Sequence, residues 1–438
     1  MAQKHTVSFI SLGCPKNLVD SEGLVSTLLS RGFRVLDDPK DADLVVVNTC
    51  GFLAASRSES VDTIKEAVAL KDGGVQGVLV AGCMVGNYKD QIEKEAPGVD
   101  RFVPFVDYSN IDGIAEELLP KDPSPSFTVE RRRVDAALTP GHYAYLKISE
   151  GCNHTCAFCV IPDIRGPMRS LPEDDLVARA RTLAERGVKE LVVIAQDSTV
   201  YGTDLYGSNR TSRLLHRLDS IEGVEWIRLM YAYPTEVRDE LIETLATSER
   251  VLPYLDVPMQ HASDSVLKRM RRGYGRARLS RMVQDLRDRV PDIALRTTFI
   301  VGFPGETDAD FEELLDFVRE ARVERLGAFR YSDEAGSRAA DLDGQVPESV
   351  KDERYDRLMM EQQQIAFAHN EASIGTTESV LVDAAAVDGH PAVARRRRDA
   401  PEVDASVFIQ NDALRPGDLI QVEITGASGY DLRATLPG

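Results

Sequence analysis

Apolar and polar positions follow two alternating patterns over the first 120 residues of the chain. Short apolar runs at 6–11, 43–48 and 77–81 have the length and composition of strands buried in a parallel sheet. Between them, residues 18–30 and 60–70 place apolar side chains at the spacing of amphipathic helices. We therefore predict an α/β fold for this region, in the form of a doubly wound domain.

A second alternating region extends from about residue 142 to residue 370. Helical stretches separate six strand-like runs at 144–148, 190–195, 226–230, 254–257, 296–301 and 326–331, and a long polar helix at 352–372 follows them. Six successive β/α units predict an open or partial (β/α)6 barrel.

The pattern changes again from residue 371. Short alternating runs at 379–383, 406–409, 419–425 and 431–435 are separated by Gly and Pro, which predicts a small all-β barrel of about five strands. A proline-rich stretch at 120–125 is typical of a linker. The predicted domains are thus 1–120, a linker at 121–137, 138–370 and 371–438.

Composition narrows the classes of protein to consider. Of the 438 residues, 43% are hydrophobic and 28% are charged, which predicts a globular chain. A net charge of −19 disfavours tight nonspecific binding to nucleic acid. No apolar run reaches the length of a membrane span, and the N-terminal residues show no signal-peptide pattern, so we expect a cytoplasmic protein without a membrane partner. Six cysteines are too few for a disulfide scaffold, and grouped cysteines in a reducing compartment favour a metal or a cluster.

The strongest chemical signal is the segment Cys152-Asn-His-Thr-Cys156-Ala-Phe-Cys159, which follows a predicted strand. Three thiolates on a [4Fe–4S] cluster leave one iron without a protein ligand, and that iron can chelate the amino and carboxylate groups of S-adenosylmethionine (SAM). The alternatives are a zinc knuckle and a chance grouping. Zinc normally requires a fourth Cys or His at knuckle spacing, and His154 lies inside the loop, where such a ligand is unusual.

A second triad is spread along the first domain. Cys14, Cys50 and Cys83 each come just after one of its predicted strands, and each has a glycine neighbour. Because the carboxyl ends of parallel strands meet at one sheet edge, three thiols at such ends can converge on one centre. Three inert core cysteines are the alternative, since Cys is commonly buried. The matching positions favour a second cluster.

With both triads considered, the sequence resembles the methylthiotransferases of the radical-SAM superfamily over nearly its whole length, and most closely the RimO type. The opening motif is Ser11-Leu-Gly-Cys14-Pro-Lys-Asn-Leu-Val-Asp-Ser-Glu22, and a second is Tyr254-Leu-Asp-Val-Pro-Met-Gln-His-Ala-Ser263. The tRNA-modifying MiaB type usually has Gln-Met where this chain has Pro-Lys after Cys14. One departure is Leu171, where the family commonly has an arginine.

The resemblance implies the cofactors and the reaction. Cys14, Cys50 and Cys83 are expected to hold an auxiliary [4Fe–4S] cluster, and the other three cysteines the SAM-binding one. One SAM is expected to donate a methyl group to a sulfur at the auxiliary cluster. A second is expected to supply the 5′-deoxyadenosyl radical that abstracts hydrogen from the β-carbon of an aspartate in the small-subunit ribosomal protein S-twelve. Both clusters are then expected to face one cavity. The tail resembles the small β-barrel called TRAM.

Further cofactor-binding candidates have less support. Phe158 is a candidate to pack near the adenine, with core filling as the alternative. Gly302 opens a Gly-Phe-Pro-Gly segment that is a candidate boundary of the SAM site, or an ordinary β–α turn. His261 is interpreted as structural. Residues at strand ends are candidates to touch SAM or substrate: Gln196, Asp197, Arg228 and Tyr231.

Charge distinguishes the candidate partners. From residue 371 onward the chain has 11 acidic and 6 basic residues, a formal charge of −5. TRAM-like barrels often bind RNA, but the only basic run, four arginines at 395–398, lies in a predicted loop and is interpreted as a solvated hairpin. We hypothesise that the acidic barrel steers a basic ribosomal protein, free or on the ribosome. The alternatives are a tRNA adenosine methylthiotransferase and a non-catalytic iron–sulfur or RNA-binding protein. A radical-SAM enzyme also requires a reducing electron donor.

Overall fold

The computed structural model describes residues 5–119 and 138–437, which form two compact units. The first unit comprises the described residues up to Leu138 together with Val160–Pro167. The second comprises Thr139–Cys159 and the described residues from Met168 onward. The predicted linker at 121–137 lies outside the described residues, and the predicted domain boundaries stay predictions.

The first unit is built on a five-stranded parallel sheet with the order β2-β1-β3-β4-β5. Its strands are β1 (Thr6–Ser11), β2 (Arg34–Val35), β3 (Leu44–Thr49), β4 (Gly77–Gly82) and β5 (Arg101–Val103). Its helices are α1 (Pro15–Ser30), α2 (Ala54–Ala69), α3 (Met84–Asn87), α4 (Lys89–Glu95), α5 (Ile111–Leu118) and, from the segment Val160–Pro167, α6 (Ile161–Arg165).

Burial on both faces of the sheet explains why its central strands have continuous apolar runs. Every residue of β3 and β4 is buried, and successive side chains join two different hydrophobic clusters, one on each face. The prediction of a doubly wound domain is confirmed. The edge strands β2 and β5 were not predicted, because two and three residues are too few to show a period.

The second unit contains a six-stranded sheet, all parallel, with the order β13-β12-β11-β10-β9-β6. These strands are β6 (Tyr143–Lys147), β9 (Glu190–Ile194), β10 (Trp226–Leu229), β11 (Val251–Asp256), β12 (Ala294–Val301) and β13 (Arg325–Arg330). A two-stranded ribbon, β7 (Ser149–Glu150) with β8 (Arg169–Ser170), flanks the cysteine loop. The prediction of six β/α units in an open barrel is confirmed.

Except for the short helix Thr203–Tyr206, which has no buried residue, the helices of this region pack their apolar faces on the sheet and share one large core with it. They are α7 (Glu173–Glu185), α8 (Thr203–Tyr206), α9 (Thr211–Asp219), α10 (Asp239–Thr247), α11 (Asp264–Arg269), α12 (Arg276–Arg289), α13 (Asp308–Ala321) and α14 (Glu348–Ala372). None of the helices in the described ranges is both long and apolar enough to cross a bilayer.

The tail forms a closed five-stranded barrel within the second unit. Its strands are β14 (Thr377–Ala384), β15 (Ala392–Arg396), β16 (Val407–Ile409), β17 (Leu419–Ser428) and β18 (Asp431–Thr435). Alternating residues such as Val422, Ile424 and Leu432 fill the interior, as the period of two predicts. The predicted all-β barrel is confirmed.

The interpretation of the arginine run at 395–398 as a solvated hairpin in a loop is wrong for its first half. Arg395 and Arg396 belong to β15 and are only 3% and 1% exposed. Arg396 pairs with Asp399 over 2.7 Å, and Arg395 pairs with Glu190 of β9 over 2.5 Å. Ion pairs with buried carboxylates allow these two arginines to lie in the core. The sequence shows the run of arginines but not the carboxylates that pair with them. Only the second two arginines remain at the surface.

A buried polar network joins the small barrel to the six-stranded sheet within the second unit. Glu190 is fully buried between Arg395 and Arg228. Burial alone would raise the pKa of Glu190, but the Arg395 and Arg228 guanidiniums outweigh it and hold the pKa below its usual range. Asp399 pairs with Arg325 of β13 over 2.6 Å in the same way. The small barrel is therefore anchored by ion pairs that water does not reach.

Candidate metal centres

The first cysteine triad lies in the loop that follows β7 and begins at Gly151, which has a φ of +75°. Cys156 is the most buried of the three thiols, while Cys152 and Cys159 are partly exposed. Two backbone hydrogen bonds fix the loop in the core. The Ala157 N–H donates to the Met270 carbonyl over 3.0 Å, and the Ala339 N–H donates to the Ala157 carbonyl over 2.9 Å. The three thiols are thus displayed on a short loop held at the carboxyl edge of the sheet.

A buried arginine supports the most buried thiol of this loop. Arg272 Nη1 donates to Cys156 Sγ over 3.2 Å, and its other nitrogens donate to the Pro258 carbonyl and the Tyr274 hydroxyl. The guanidinium lies 4.3 Å from the centre of the Tyr233 ring. These contacts fix both the position and the orientation of the cation beside the sulfur.

His154, in the middle of the loop, is held from two sides. Its Nε2 lies 2.6 Å from Asp197 Oδ2, and its ring stacks on Tyr233 with centroids 3.8 Å apart and planes 9° apart. Asp197 Oδ1 in turn accepts from the N–H and hydroxyl of Thr199. Asp197 therefore supports the cysteine loop through His154, and its predicted contact with SAM stays a prediction.

The second triad meets at the carboxyl edge of the five-stranded sheet. Cys50 and Cys83 directly follow β3 and β4, whose last residues are paired across the sheet. Cys14 precedes α1 and follows Gly13, which has a φ of +89°. A Cβ added at Gly13 would lie 2.8 Å from the Cβ of Cys50 and 3.0 Å from its sulfur. Glycine thus permits the close approach that brings the cysteine-bearing loops together.

The opening motif supplies the hydrogen bonds that hold this edge. Asn17 Nδ2 donates to the Leu12 carbonyl over 2.7 Å and to the Thr49 carbonyl over 3.2 Å. Asn48 Nδ2 donates back to the Asn17 carbonyl over 2.8 Å. Because these hydrogen bonds join the loop after β1, the start of α1 and the end of β3, the motif fixes where Cys14 lies relative to Cys50.

The second triad also has a buried arginine at its most buried thiol. Arg165 Nη2 donates to Cys83 Sγ over 3.3 Å, and Arg165 Nη1 pairs with Asp20 Oδ2 over 2.9 Å. The guanidinium also lies 4.7 Å from the centre of the Phe105 ring. Arg165 thus connects α6 to the sheet edge inside the first unit.

Burial disfavours the charged form of the cysteine thiols. It raises the pKa of Cys83 and of Cys152 to about 11 each, and it also raises the pKa of Cys50. Neighbouring thiolates of the same triad add to the shifts of Cys50 and Cys83, so each deprotonated sulfur needs a cation. A bound iron–sulfur cluster would supply that charge and displace the thiol protons.

A cluster does not require its protein ligands to converge on one point. Within residues 5–119 and 138–437, no three His, Cys, Asp or Glu side chains are arranged to hold one metal ion. In a cluster, however, each thiolate binds a different iron. A [4Fe–4S] cluster on each triad is therefore compatible with this arrangement, and the six cysteines as its ligands stay a prediction.

Two further residues predicted from strand ends lie at the carboxyl edge of the six-stranded sheet. Gln196 follows β9 and donates to Glu150 Oε1 over 2.9 Å. Tyr231 follows β10 with a φ of +63°, and its N–H donates to Asp256 Oδ2 over 3.2 Å. A left-handed tyrosine at a strand end is uncommon and is held by its surroundings. Contact of these residues with SAM stays a prediction.

Arg228 lies in a different environment from the other strand-end candidates. It is fully buried, its Nε donates to Glu190 over 2.7 Å, and its Nη1 donates to the Arg397 carbonyl over 2.9 Å. It also lies 4.5 Å from the centre of the Tyr254 ring. These partners favour a structural role in the network that anchors the small barrel, and its contact with SAM stays a prediction.

Phe158 and Gly302 have structural contacts that account for their residue types. Phe158 packs against a small hydrophobic cluster that includes Phe303. Gly302 has a φ of +72°, its N–H donates to Glu306 over 2.7 Å, and a Cβ there would collide with the Lys351 side chain. The segment is a tightly bonded β–α turn, and the predicted SAM contacts of both residues stay predictions.

Sequence reasoning missed the two arginines that donate to cysteine sulfurs. Arg272 lies more than a hundred residues after Cys156, and nothing in the sequence around it points to a sulfur. The one available signal was proximity, since Arg165 follows Cys159 by six residues.

The Asp197–His154 pair gives a testable expectation. Substitution Asp197→Ala removes the partner that orients His154, and outer partners of metal sites typically contribute about 10- to 100-fold in metal affinity. We expect iron on the loop to transfer to a chelator about 10- to 100-fold faster, measured anaerobically in a chain whose other triad is changed to alanine. Asp174→Ala, an exposed carboxylate on α7, is the control. An unchanged rate for Asp197→Ala would contradict this role.

Models of known families cover most of the described chain. The Radical SAM superfamily model matches residues 146–318, the model described as uncharacterized protein family UPF0004 matches 6–104, and the TRAM domain model matches 374–436. The UPF0004 and TRAM ranges span the five-stranded sheet and the closed barrel, and the Radical SAM range spans the six-stranded sheet except β13 and the start of β6.

Curated relatives match over nearly the full chain. A protein of Anaeromyxobacter sp. (strain K), named ribosomal protein uS12 methylthiotransferase RimO, is 46% identical over 96% of this chain and 91% of its own. Proteins of the same name from Lachnoclostridium phytofermentans and Moorella thermoacetica are 43% and 45% identical, over 98% and 96% of this chain and 99% and 96% of theirs.

Solved structures of radical SAM enzymes share the fold. The methyltransferase TsrM from Kitasatospora setae superposes with a TM-score of 0.56 at 15% identity, over 74% of this chain and 73% of that one. The cobalamin-dependent enzyme OxsB superposes with a TM-score of 0.52 at 13% identity, over 83% and 56%.

Proposed function

The chain belongs to the RimO family of radical SAM methylthiotransferases, and from that premise we propose that it adds a methylthio group to the β-carbon of an aspartate in ribosomal protein uS12. The observation that carries the proposal is the pair of cysteine triads, each held at the carboxyl edge of its own parallel sheet. A single radical reaction needs one cluster. Insertion of sulfur requires a second cluster site in addition.

The cofactors are two [4Fe–4S] clusters and SAM. When bound, they supply the electron that cleaves SAM to a 5′-deoxyadenosyl radical and the sulfur that is transferred. Cys152, Cys156 and Cys159 would hold the SAM-binding cluster, and Cys14, Cys50 and Cys83 the auxiliary one. A carbon radical is required because no side-chain base removes a hydrogen from an unactivated carbon at neutral pH.

The chain's own residues hold the cysteine loop in position. Arg272 fixes the sulfur of Cys156, and the Asp197–His154 pair fixes the middle of the loop. Gln196 and Lys147 both bind Glu150, beside the loop, over 2.9 and 2.6 Å. This hydrogen-bonded rim is the surface that we propose for the polar part of SAM.

Product stoichiometry tests the proposed reaction. Reconstituted protein would receive excess SAM, reductant, sulfide and recombinant uS12 under anaerobic conditions. We expect one S-adenosylhomocysteine and one 5′-deoxyadenosine for each methylthio group found by mass spectrometry on an aspartate of uS12. Transfer of a methyl group to uS12 without a sulfur atom would contradict the proposal. Cleavage of SAM that never modifies uS12 would also contradict it.

We propose that the small barrel docks the basic substrate through its exposed acidic residues. Asp388, Asp412 and Glu423 are exposed, and Glu423 points outward between two buried residues of β17. Charges at the rim of an interface act mainly on the association rate and on its salt dependence. Transfer to uS12 in the cytoplasm, on the free protein or on the ribosome, is compatible with this surface.

Neutralising these three residues (Asp388→Asn, Asp412→Asn, Glu423→Gln) is expected to slow association with uS12 about 10-fold at low salt and to flatten its salt dependence. Stopped-flow binding measures both effects. The matched control changes the exposed cations of the same barrel, Arg415→Gln and Arg433→Gln, and should speed association. Equal rates for both variants would exclude the barrel as the docking surface.

Modification of tRNA is not favoured as the alternative. The relatives compared above are all named for uS12, and this chain has Pro-Lys where the MiaB type has Gln-Met. The buried state of Arg395 and Arg396 also reduces the basic stripe that an RNA reader would present.

A further inference from the structure

The six-stranded sheet ends in an edge strand that is open to further pairing. β13 lies at the edge of the sheet, and among the described residues it pairs with β12 alone. Its first two residues are buried, but exposure increases along the strand, and Phe329 is 51% exposed. A free edge strand presents unpaired backbone N–H and C=O groups to another chain.

The ladder with β12 shows which backbone groups point away from the sheet. Tyr331, directly after the strand, donates its N–H to the Val301 carbonyl over 2.8 Å. The backbone groups of successive residues point to opposite sides of a strand, so those of Phe329 face β12 as well. Ala328 and Arg330 therefore direct their N–H and C=O groups outward.

β13 lacks most of the features that protect an edge strand from pairing. Such strands are usually very short, bulged, interrupted by proline or charged. β13 has six residues, keeps a regular register with β12 and has no proline, and its exposed Arg330 is paired with Asp352. A Cβ added at Gly327 would meet no atom within 4 Å, so there is open space beside the strand.

The carboxyl end of this strand lies beside the cysteine loop of the same unit. Tyr331 shares one hydrophobic cluster with Ala339 and with Ala157, which lies between Cys156 and Cys159. The Ala339 N–H also donates to the Ala157 carbonyl over 2.9 Å. A segment paired with β13 would therefore have one end beside the loop that would hold the SAM-binding cluster, where the target carbon has to be positioned.

Charge distinguishes the possible occupants of the edge. Residues 331–347, which follow β13, include four acidic residues and one basic residue, a formal charge of −3. Asp333 and Asp341 are exposed in this segment. Such a surface attracts a segment of a basic ribosomal protein, whereas it repels a second copy of this chain, whose net charge is −19.

We propose that β13 binds an extended segment of uS12 as a seventh strand of the sheet. The outward backbone groups of Ala328 and Arg330 form the hydrogen bonds, and Phe329 and the open space at Gly327 receive side chains of the bound segment. In this mode of recognition, main-chain hydrogen bonds give affinity and alternate side chains give specificity. The inference rests on the proposed function, because it states how that substrate is held.

Binding of a synthetic uS12 peptide centred on the target aspartate tests the inference, measured anaerobically with the reconstituted full-length protein. Ala328→Pro removes an outward N–H and blocks the edge, but it costs no bond to β12, so proline is compatible with this position. We expect the peptide to bind this variant about 10-fold more weakly than the wild type. Ala328→Ser keeps the N–H and is the matched control, with affinity expected within about 2-fold of the wild type.

A second measurement needs no variant of the protein. Methylation of the peptide nitrogens at every second residue removes the N–H groups from one of the two edges of the peptide. One alternate set should weaken binding to the wild type about 10-fold or more, and the other should change it by less than about 3-fold, because only one edge of the added strand faces β13. In hydrogen exchange, the amides of Ala328 and Arg330 should become protected when the unmodified peptide binds.

Three results would overturn the inference. The first is equal affinity of the peptide for the wild type and Ala328→Pro, and the second is an equal loss from both methylated sets. The third is a wild-type dimer that Ala328→Pro makes monomeric, which would assign the edge to a second copy of the chain. If Ala328→Pro does not fold, the methylated peptides decide. An unmodified peptide that does not bind the wild type would contradict the proposed function as well, whereas equal binding in all cases contradicts the inference alone.

Discussion

Substitution of Cys156 by alanine is expected to abolish reductive cleavage of SAM, a loss of about 10³-fold or more in the rate of 5′-deoxyadenosine formation. The change removes one of three ligands of the SAM-binding cluster and leaves the Arg272 donor without its acceptor. Binding of the cluster on two thiolates is too weak to survive purification, so about four of eight irons should be lost. Iron analysis and quantification of 5′-deoxyadenosine measure both effects.

Cys83→Ala is the matched control, because Cys83 is the corresponding buried thiol of the other triad. It should lose a similar amount of iron but still form 5′-deoxyadenosine, while methylthio transfer to uS12 stops. The separation of the two phenotypes is what distinguishes two functional clusters from one. If Cys83→Ala were fully active in methylthio transfer, the auxiliary cluster would have no role.

Substitution Glu190→Gln is expected to lower the free energy of unfolding by about 3–5 kcal/mol. Glu190 is fully buried and is the shared partner of Arg228 and Arg395, so the variant leaves two buried guanidiniums without their counter-ion. Chemical denaturation under anaerobic conditions measures the change. Because the pair joins the small barrel to the six-stranded sheet, the loss should appear as earlier unfolding of the barrel.

Asp352→Asn provides the control for this prediction. Asp352 pairs with Arg330 on the surface, both about half exposed, and such pairs contribute about 0–1 kcal/mol. A change of less than about 1 kcal/mol for Glu190→Gln would show that the buried network does not hold the barrel in place.

The same buried network makes the free energy of unfolding depend on pH in the acidic range. Burial would raise the pKa of Asp399, but Arg396 and Arg325 lower it to about 2. A carboxylate whose pKa is depressed in the folded state adds stability above its unfolded pKa of 3.8 and loses that contribution as the pH falls toward 2. Glu190 acts in the same direction, since its pKa is also lowered.

The spacing of apolar residues predicted most of the strands and helices because it reflects which side chains are buried. The runs at 6–11, 77–81 and 226–230 lie within one residue of the observed strands β1, β4 and β10. Strand β15 was missed because its last three residues are all buried, two of them arginines in ion pairs, so the strand does not alternate between core and solvent. A sequence shows arginines at 395–398, but it does not show that Glu190, far earlier in the chain, is the counter-ion of Arg395.

The candidate site was predictable only in its ligands. Cysteine spacing and strand ends singled out the six thiols as candidates, because those signals are local or follow from the geometry of parallel sheets, and their role as cluster ligands stays a prediction. The supporting residues come from distant segments, as Arg272 shows, and their role depends on distances that only the folded chain has. Arg228 illustrates the opposite case, since a strand-end position suggested the SAM cavity but its partners belong to the anchoring network.

The most direct test of the central claim is a competition assay. Reconstituted wild-type protein would receive SAM, reductant and sulfide with uS12 and unmodified tRNA both present, and mass spectrometry would locate any methylthio group. The account predicts the group on an aspartate of uS12 and none on tRNA. A methylthio group on tRNA adenosine, with uS12 unmodified, would contradict it.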